Sequence, residues 1–112
     1  MITGTIEFHE HTKDTVIREL HEETGLSPQK IYSIPKVNTF YLAISDKICM
    51  SPVFLTIVDS TDVTISLEHT EFKWADFDEA CKMIHWPNQI ESLEIIKKYL
   101  DNKGLFTKLI EL

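Results

Sequence analysis

Glu19, Glu22 and Glu23 crowd two turns of the stretch "TKDTVIRELHEETGL". Taken as a helix at about 100° per residue, they fall near 0°, −60° and +40°, an arc of roughly 100°. Like charges three and four residues apart repel and weaken a helix, and the chain already carries a net charge of −7. A hard divalent cation would offset that repulsion, because carboxylate oxygens are the donors that Mg²⁺ and Mn²⁺ prefer. Arg18 lies about 100° from Glu19 on the same wheel, close enough to orient a carboxylate through its forked N–H groups. Val16, Leu20 and Ile17 fall at roughly 60°, 100° and 160° and form an apolar stripe that adjoins the acidic one, so one side of the helix docks on the sheet and the other faces a cleft. A plainly solvated acidic face is the competing reading.

The elements that must hold this face can be drawn from local signals. Thr12 is a fair N-cap with Asp14 in the first turn, and Gly25 ends the helix where a left-handed residue is wanted. Before it, "MITGTIEF" reads as a short strand running into a loop. After it, "LSPQKIYSIPK" reads as connector, punctuated by Pro28 and Pro35. The runs "VNTFYLAIS" and "ICMSPVFLTIV" are β-branched and aromatic, separated by "DK", and predict a hairpin. Pro52 within the second run implies an edge position or a bulge. "VTISL" predicts another short strand, and "TEFKWADF" a strand leading into a helix around Asp78–Ile84. "PNQIESLEIIKKYLDNKG" opens on a proline suited to a first turn and closes on Gly104, which predicts a helix across that span.

Composition bounds what such a chain does. A 112-residue chain with 43% apolar residues suits a single globular domain, 1–112, with a real core. It shows no apolar run long enough to span a bilayer, and the N-terminus lacks the order of a secretory signal. Cys49 and Cys81 have no metal spacing and read as reduced thiols of a cytoplasmic protein. The acidic balance speaks against duplex nucleic acid, since nothing builds a basic stripe. A nucleotide remains open as a partner, because metal can meet its phosphates.

The spacing adds a second line. Gly4, five residues, Glu10, seven residues, Arg18-Glu19-Leu20, one residue, Glu22-Glu23, one residue and Gly25-Leu26 together resemble the Nudix box, with every defining position filled. "LEHTEFKWADFDEA" followed by "WPNQIESL" is similar to the segment after the sheet in Nudix enzymes acting on small nucleotides. The resemblance implies an α/β (α+β) fold, a Nudix-like α/β/α sandwich with a mixed sheet flanked by helices. It implies metal-dependent hydrolysis of a diphosphate linkage in a nucleoside triphosphate or related nucleotide, of the dATP, dihydroneopterin triphosphate or dinucleoside polyphosphate type. Bound cations, Mg²⁺ with Mn²⁺ as substitute, bridge phosphate oxygens and acidify a water for attack.

On that resemblance Glu22 and Glu23 are the main metal ligands, and Glu19 is a further ligand or the general base, held by Arg18. Glu10 supports loop and helix through hydrogen bonds, and the Gly4 carbonyl reaches toward the metal. Glu68 matches the late acidic residue that completes the metal site or activates water, with Glu71 as its competitor. His69 is either a positioning donor or a turn residue. Phe40 and Tyr41 alternate faces of a strand, so one lines the nucleoside pocket, and Trp74 and Trp86 are either core or stacking platforms.

Two departures from the family pattern stand out. His9 replaces the glycine common before Glu10, which predicts a different loop conformation. The box begins three residues after Met1, where relatives carry strands first, so the domain reads as N-terminally truncated. An exposed sheet edge then predicts a homodimer, or burial of "LFTKLIEL" over the gap. A non-catalytic Nudix-fold fragment that binds a ligand or protein partner is the alternative function.

Overall fold

The structure is a computed structural model that describes residues 1–6, 9–65 and 71–112. Among the described residues four helices and three strands follow one another as α1 (Thr12–Thr24), β1 (Lys30–Leu42), β2 (Lys47–Ile57), α2 (Phe77–Met83), α3 (Pro87–Leu100), α4 (Lys103–Phe106) and β3 (Ile110–Glu111). The strands form one antiparallel sheet in the order β2-β1-β3, so helices and strands mix as an α+β fold requires. The described sheet is thus antiparallel where a mixed one was expected. Its hairpin turns through Ala43–Asp46, with the Asp46 amide donating to the Ala43 carbonyl at 3.3 Å. β2 lies at an edge, which is where a strand accommodates Pro52.

Residue contacts divide the chain into two compact units. The first comprises Met1–Ile31, Thr56–Trp74 and Glu111–Leu112. Its core holds Thr15 and Leu20 from α1, with Leu26 and Ile31 after it. Helix α1 ends as its sequence dictates: Gly25 adopts φ 73°, and its amide returns to the His21 carbonyl at 2.8 Å. That left-handed conformation is one glycine reaches without the strain a Cβ imposes. Thr64 then donates its amide to the Thr24 carbonyl at 2.8 Å, tying the helix end to the segment after β2.

The second unit comprises Tyr32–Leu55 and Ala75–Ile110, and its core includes Tyr32, Ile34 and Val53. Ser92 of α3 is fully buried; its hydroxyl contacts the Asn88 carbonyl (2.9 Å) and the Asn38 side chain (3.2 Å). Asn88 donates to the Thr39 carbonyl at 3.2 Å, a second bond from α3 to β1. The Tyr32 and Phe106 rings meet edge to face with centroids 4.9 Å apart.

Five local expectations are corrected. The described part of "MITGTIEF" is not a strand: residues 1–6 are exposed and have no strand beside them among the described residues. The N-cap of α1 is His11, one residue before Thr12, and its side chain makes no capping bond. "LSPQKIYSIPK" is largely strand, since β1 begins at Lys30 and runs through Pro35. β3 is only two residues long, so much of that edge of β1 has no strand beside it among the described residues, a setting that tolerates proline. Val63–Ile65 and Glu71–Trp74 are not strands either; the Thr64 amide is committed to α1, and the Trp74 indole donates to the Thr61 carbonyl at 3.1 Å. Finally, the last long helix stops at Leu100, and Gly104 lies inside α4. Asn102 takes the Leu105 amide at 3.1 Å and so starts a new helix where a continuous one was expected. Helix α2 matches its expected place, capped by Asp76, which accepts from the Glu79 amide at 2.8 Å.

The C-terminal segment places β3 beside β1, with the Leu112 amide donating to the Ile31 carbonyl at 2.9 Å.

Candidate active site

The box residues of the first unit gather around Arg18. Among the described residues the guanidinium makes five hydrogen bonds. Nε and Nη2 hold the two oxygens of Glu10 at 2.8 and 3.1 Å, a forked ion pair. Nη2 also donates to the Thr5 carbonyl at 2.9 Å. Nη1 reaches Glu19 Oε1 at 2.9 Å and Glu22 Oε2 at 3.1 Å. The Glu10 bond, strengthened by those to Glu19 and Glu22, keeps the guanidinium charged well beyond its ordinary range, although desolvation opposes this.

Helix geometry explains the gathering. Arg18 precedes Glu22 by one turn, so the two side chains share a face, and Glu10 approaches from the loop ahead of the helix. Part of the repulsion within the acidic arc is therefore relieved from inside the helix. Three carboxylates against one guanidinium still leave these four side chains with two negative charges in excess.

The members differ in how firmly they are held. Glu10 has a side chain 14% exposed and also accepts from the Thr15 hydroxyl at 2.7 Å. The Glu19 side chain is 16% exposed and lies against the Gly4 backbone; a Cβ on Gly4 would come within 2.5 Å of Glu19 Oε1. A side chain at residue 4 would push the Glu19 carboxyl group aside. The Glu22 side chain is 55% exposed and, among the described residues, is held by a single bond. Glu23 is half-buried and also has an interaction partner.

Thr15 is the member that sequence reasoning missed. It falls one turn before Glu19 and is 6% exposed, so it reads as core. Its signal was a hydroxyl at a buried helical position five residues after Glu10, where an apolar side chain would pack as well. His9 has φ 66°, a conformation that glycine favours. The loop thus has glycine-like backbone at the position where a different conformation was expected.

The remaining candidates are dispersed. Glu68 and His69 lie outside the described residues. Glu71 and Trp74 are exposed in the first unit. Phe40 and Tyr41 belong to the second unit and are 45% and 60% exposed. The Tyr41 hydroxyl donates to Asp46 at 2.8 Å across the hairpin turn, which raises its pKa above the ordinary phenol value, with a smaller contribution from desolvation. Trp86, the N-cap of α3, is 70% exposed and so is not core. Cys49 and Cys81 are free thiols.

Among the described residues no three carboxylate, imidazole or thiolate groups are drawn together as a metal cage. The donor chemistry nevertheless fits a hard cation. The three glutamates supply oxygen ligands only, and Arg18 engages just one oxygen each of Glu19 and Glu22. Among the described residues, no helix is long and apolar enough to cross a membrane.

Comparison with known proteins gives the family. The family model of the NUDIX domain matches residues 1–99. The dihydroneopterin triphosphate diphosphatase of Haemophilus influenzae is 30% identical over 119 residues, an alignment covering 90% of this chain and 70% of that protein. The chain belongs to the Nudix family. It is a Nudix-type nucleotide pyrophosphohydrolase, and the family generally works with divalent metal ions.

Proposed function

We propose that this chain hydrolyses a phosphoanhydride bond of a nucleoside triphosphate or a close relative, using Mg²⁺ or Mn²⁺ held by Glu19, Glu22 and Glu23. The observation that carries the reading is the Arg18 cluster, which collects Glu10, Glu19 and Glu22 at hydrogen-bond distance. The cation, when bound, neutralises phosphate charge and acidifies a water. The protein's own part is positioning. Arg18, anchored on Glu10 and the Thr5 carbonyl, fixes the Glu19 carboxylate. Glu19 Oε2, which Arg18 does not engage, lends an electron pair to the cation or takes the proton of the attacking water; Glu68 competes for the second role. The Gly4 carbonyl, on backbone that packs against the Glu19 side chain, would be a further oxygen donor to the cation.

The name of the H. influenzae relative, a dihydroneopterin triphosphate diphosphatase, supports a substrate of that triphosphate type for this chain. Trp74, whose indole N–H is tied to the Thr61 carbonyl and which is 51% exposed, offers a ring for stacking on such a base. Phe40 and Tyr41 offer exposed aromatic surface of the same kind. We read the whole chain, 1–112, as one Nudix-like domain acting in the cytoplasm.

Calorimetric titration with Mg²⁺ and Mn²⁺ tests the metal assignment. The wild-type protein should bind, and Glu23→Gln should bind at least tenfold more weakly. Equal affinity would remove Glu23 from the ligand set.

A further inference from the structure

Arg18 occupies the space between two carboxylates that the proposed function gives to a cation. Its Nη1 lies 2.9 Å from Glu19 Oε1 and 3.1 Å from Glu22 Oε2, and the described glutamates form no metal cage in this arrangement. We propose that Arg18 is an internal counter-ion that exchanges with the metal: cation binding breaks the Arg18–Glu22 bond and leaves Arg18 on Glu10, Glu19 and the Thr5 carbonyl. This inference rests on the metal reading of the box.

The structure identifies which bond yields. Glu10 is forked onto Arg18, has a mostly buried side chain and is held a second time by Thr15. The Thr5 carbonyl takes a further N–H of the same guanidinium. Glu19 is mostly buried and packs on the Gly4 backbone, so it has little room to leave. Among the described residues Glu22 has one bond, the longer of the two at Nη1, and it has the most exposed side chain of the cluster. A divalent cation also supplies the two positive charges that this cluster lacks, so Glu22 exchanges one cation for a stronger one. Glu19 is thereby the fixed ligand and Glu22 the mobile one, and the metal-free cluster stays folded with its charge partly neutralised.

Arg18 is the chain's one arginine, so the guanidinium signals of a ¹⁵N-labelled sample all belong to this residue. The experiment follows the Nε and Nη resonances by NMR while Mg²⁺ is added, with equilibrium dialysis recording how much metal binds. Bound Mg²⁺ should shift the Nη1 resonance and speed its proton exchange at least severalfold, with the Nε signal unmoved. Metal-free Glu22→Ala should show the same selective change at Nη1. Bound metal with Nη1 unmoved overturns the exchange, and so does parallel loss of Nη1 and Nε, which would mean that the whole cluster dissolves. Absence of bound metal by dialysis overturns the metal reading itself, and the exchange with it.

Discussion

Replacing Thr15 by valine keeps the shape of the side chain and removes the hydroxyl that donates to Glu10 Oε1 at 2.7 Å. Valine and threonine have similar helix propensity, so backbone preference does not decide the outcome. Thr15 is 6% exposed and Glu10 has a side chain 14% exposed, so water does not readily replace the lost donor. A buried hydrogen bond to a charged group contributes about 1.5–3 kcal/mol. Glu10 keeps its bonds from Arg18, which places the loss toward the lower end, about 2 kcal/mol. For a domain near this size that lowers Tm by roughly 8 °C or more. Urea unfolding followed by circular dichroism measures it, with Thr15→Ser as control. Serine retains the hydroxyl and loses one methyl, worth about 0.8 kcal/mol. A valine variant at least as stable as the serine variant would refute the claim that the hydroxyl anchors Glu10.

Gly4→Ala should reduce turnover tenfold or more with little change in Tm, because a Cβ there displaces the Glu19 carboxyl group while residues 1–6 are exposed; wild-type turnover would show that Glu19 need not rest on this backbone. At His9, with φ 66°, the glycine variant should be about 1 kcal/mol more stable than the alanine variant, since a Cβ is strained in the left-handed region. Chemical denaturation of the two variants checks this, and an alanine variant of equal or greater stability would contradict the conformation.

The acidic helix was legible because its signals are local: a 3.6-residue apolar stripe, Asp14 in the first turn and Gly25 at the end. The hairpin and α2 were legible for the same reason. What was lost in the sequence depends on partners far along the chain. Pro35 suggested a connector, yet a strand edge without a neighbour accepts proline, and no local pattern shows which edge is free. Val63–Ile65 alternate like a strand, but a strand needs an adjacent ladder, and the Thr64 amide is instead bound to Thr24. Asn102 outcompetes helix continuation by capping Leu105, a choice the spacing to Gly104 concealed. In the site, the residue types named the carboxylates, whereas the central place of Arg18 and the support from Thr15 depend on how the loop before α1 folds onto it.

The central claim is that the box carboxylates drive hydrolysis of a phosphoanhydride bond. Following a purine nucleoside triphosphate and dihydroneopterin triphosphate by ³¹P NMR, with Mg²⁺ in ¹⁸O-labelled water, tests it most directly. The wild-type protein should cleave at least one substrate, with ¹⁸O in one of the two phosphorus-containing products, and Glu22→Gln should be slower by orders of magnitude while its circular dichroism spectrum stays that of the wild type. Hydrolysis at the wild-type rate by Glu22→Gln, or no cleavage of either triphosphate by the wild-type protein, would contradict it.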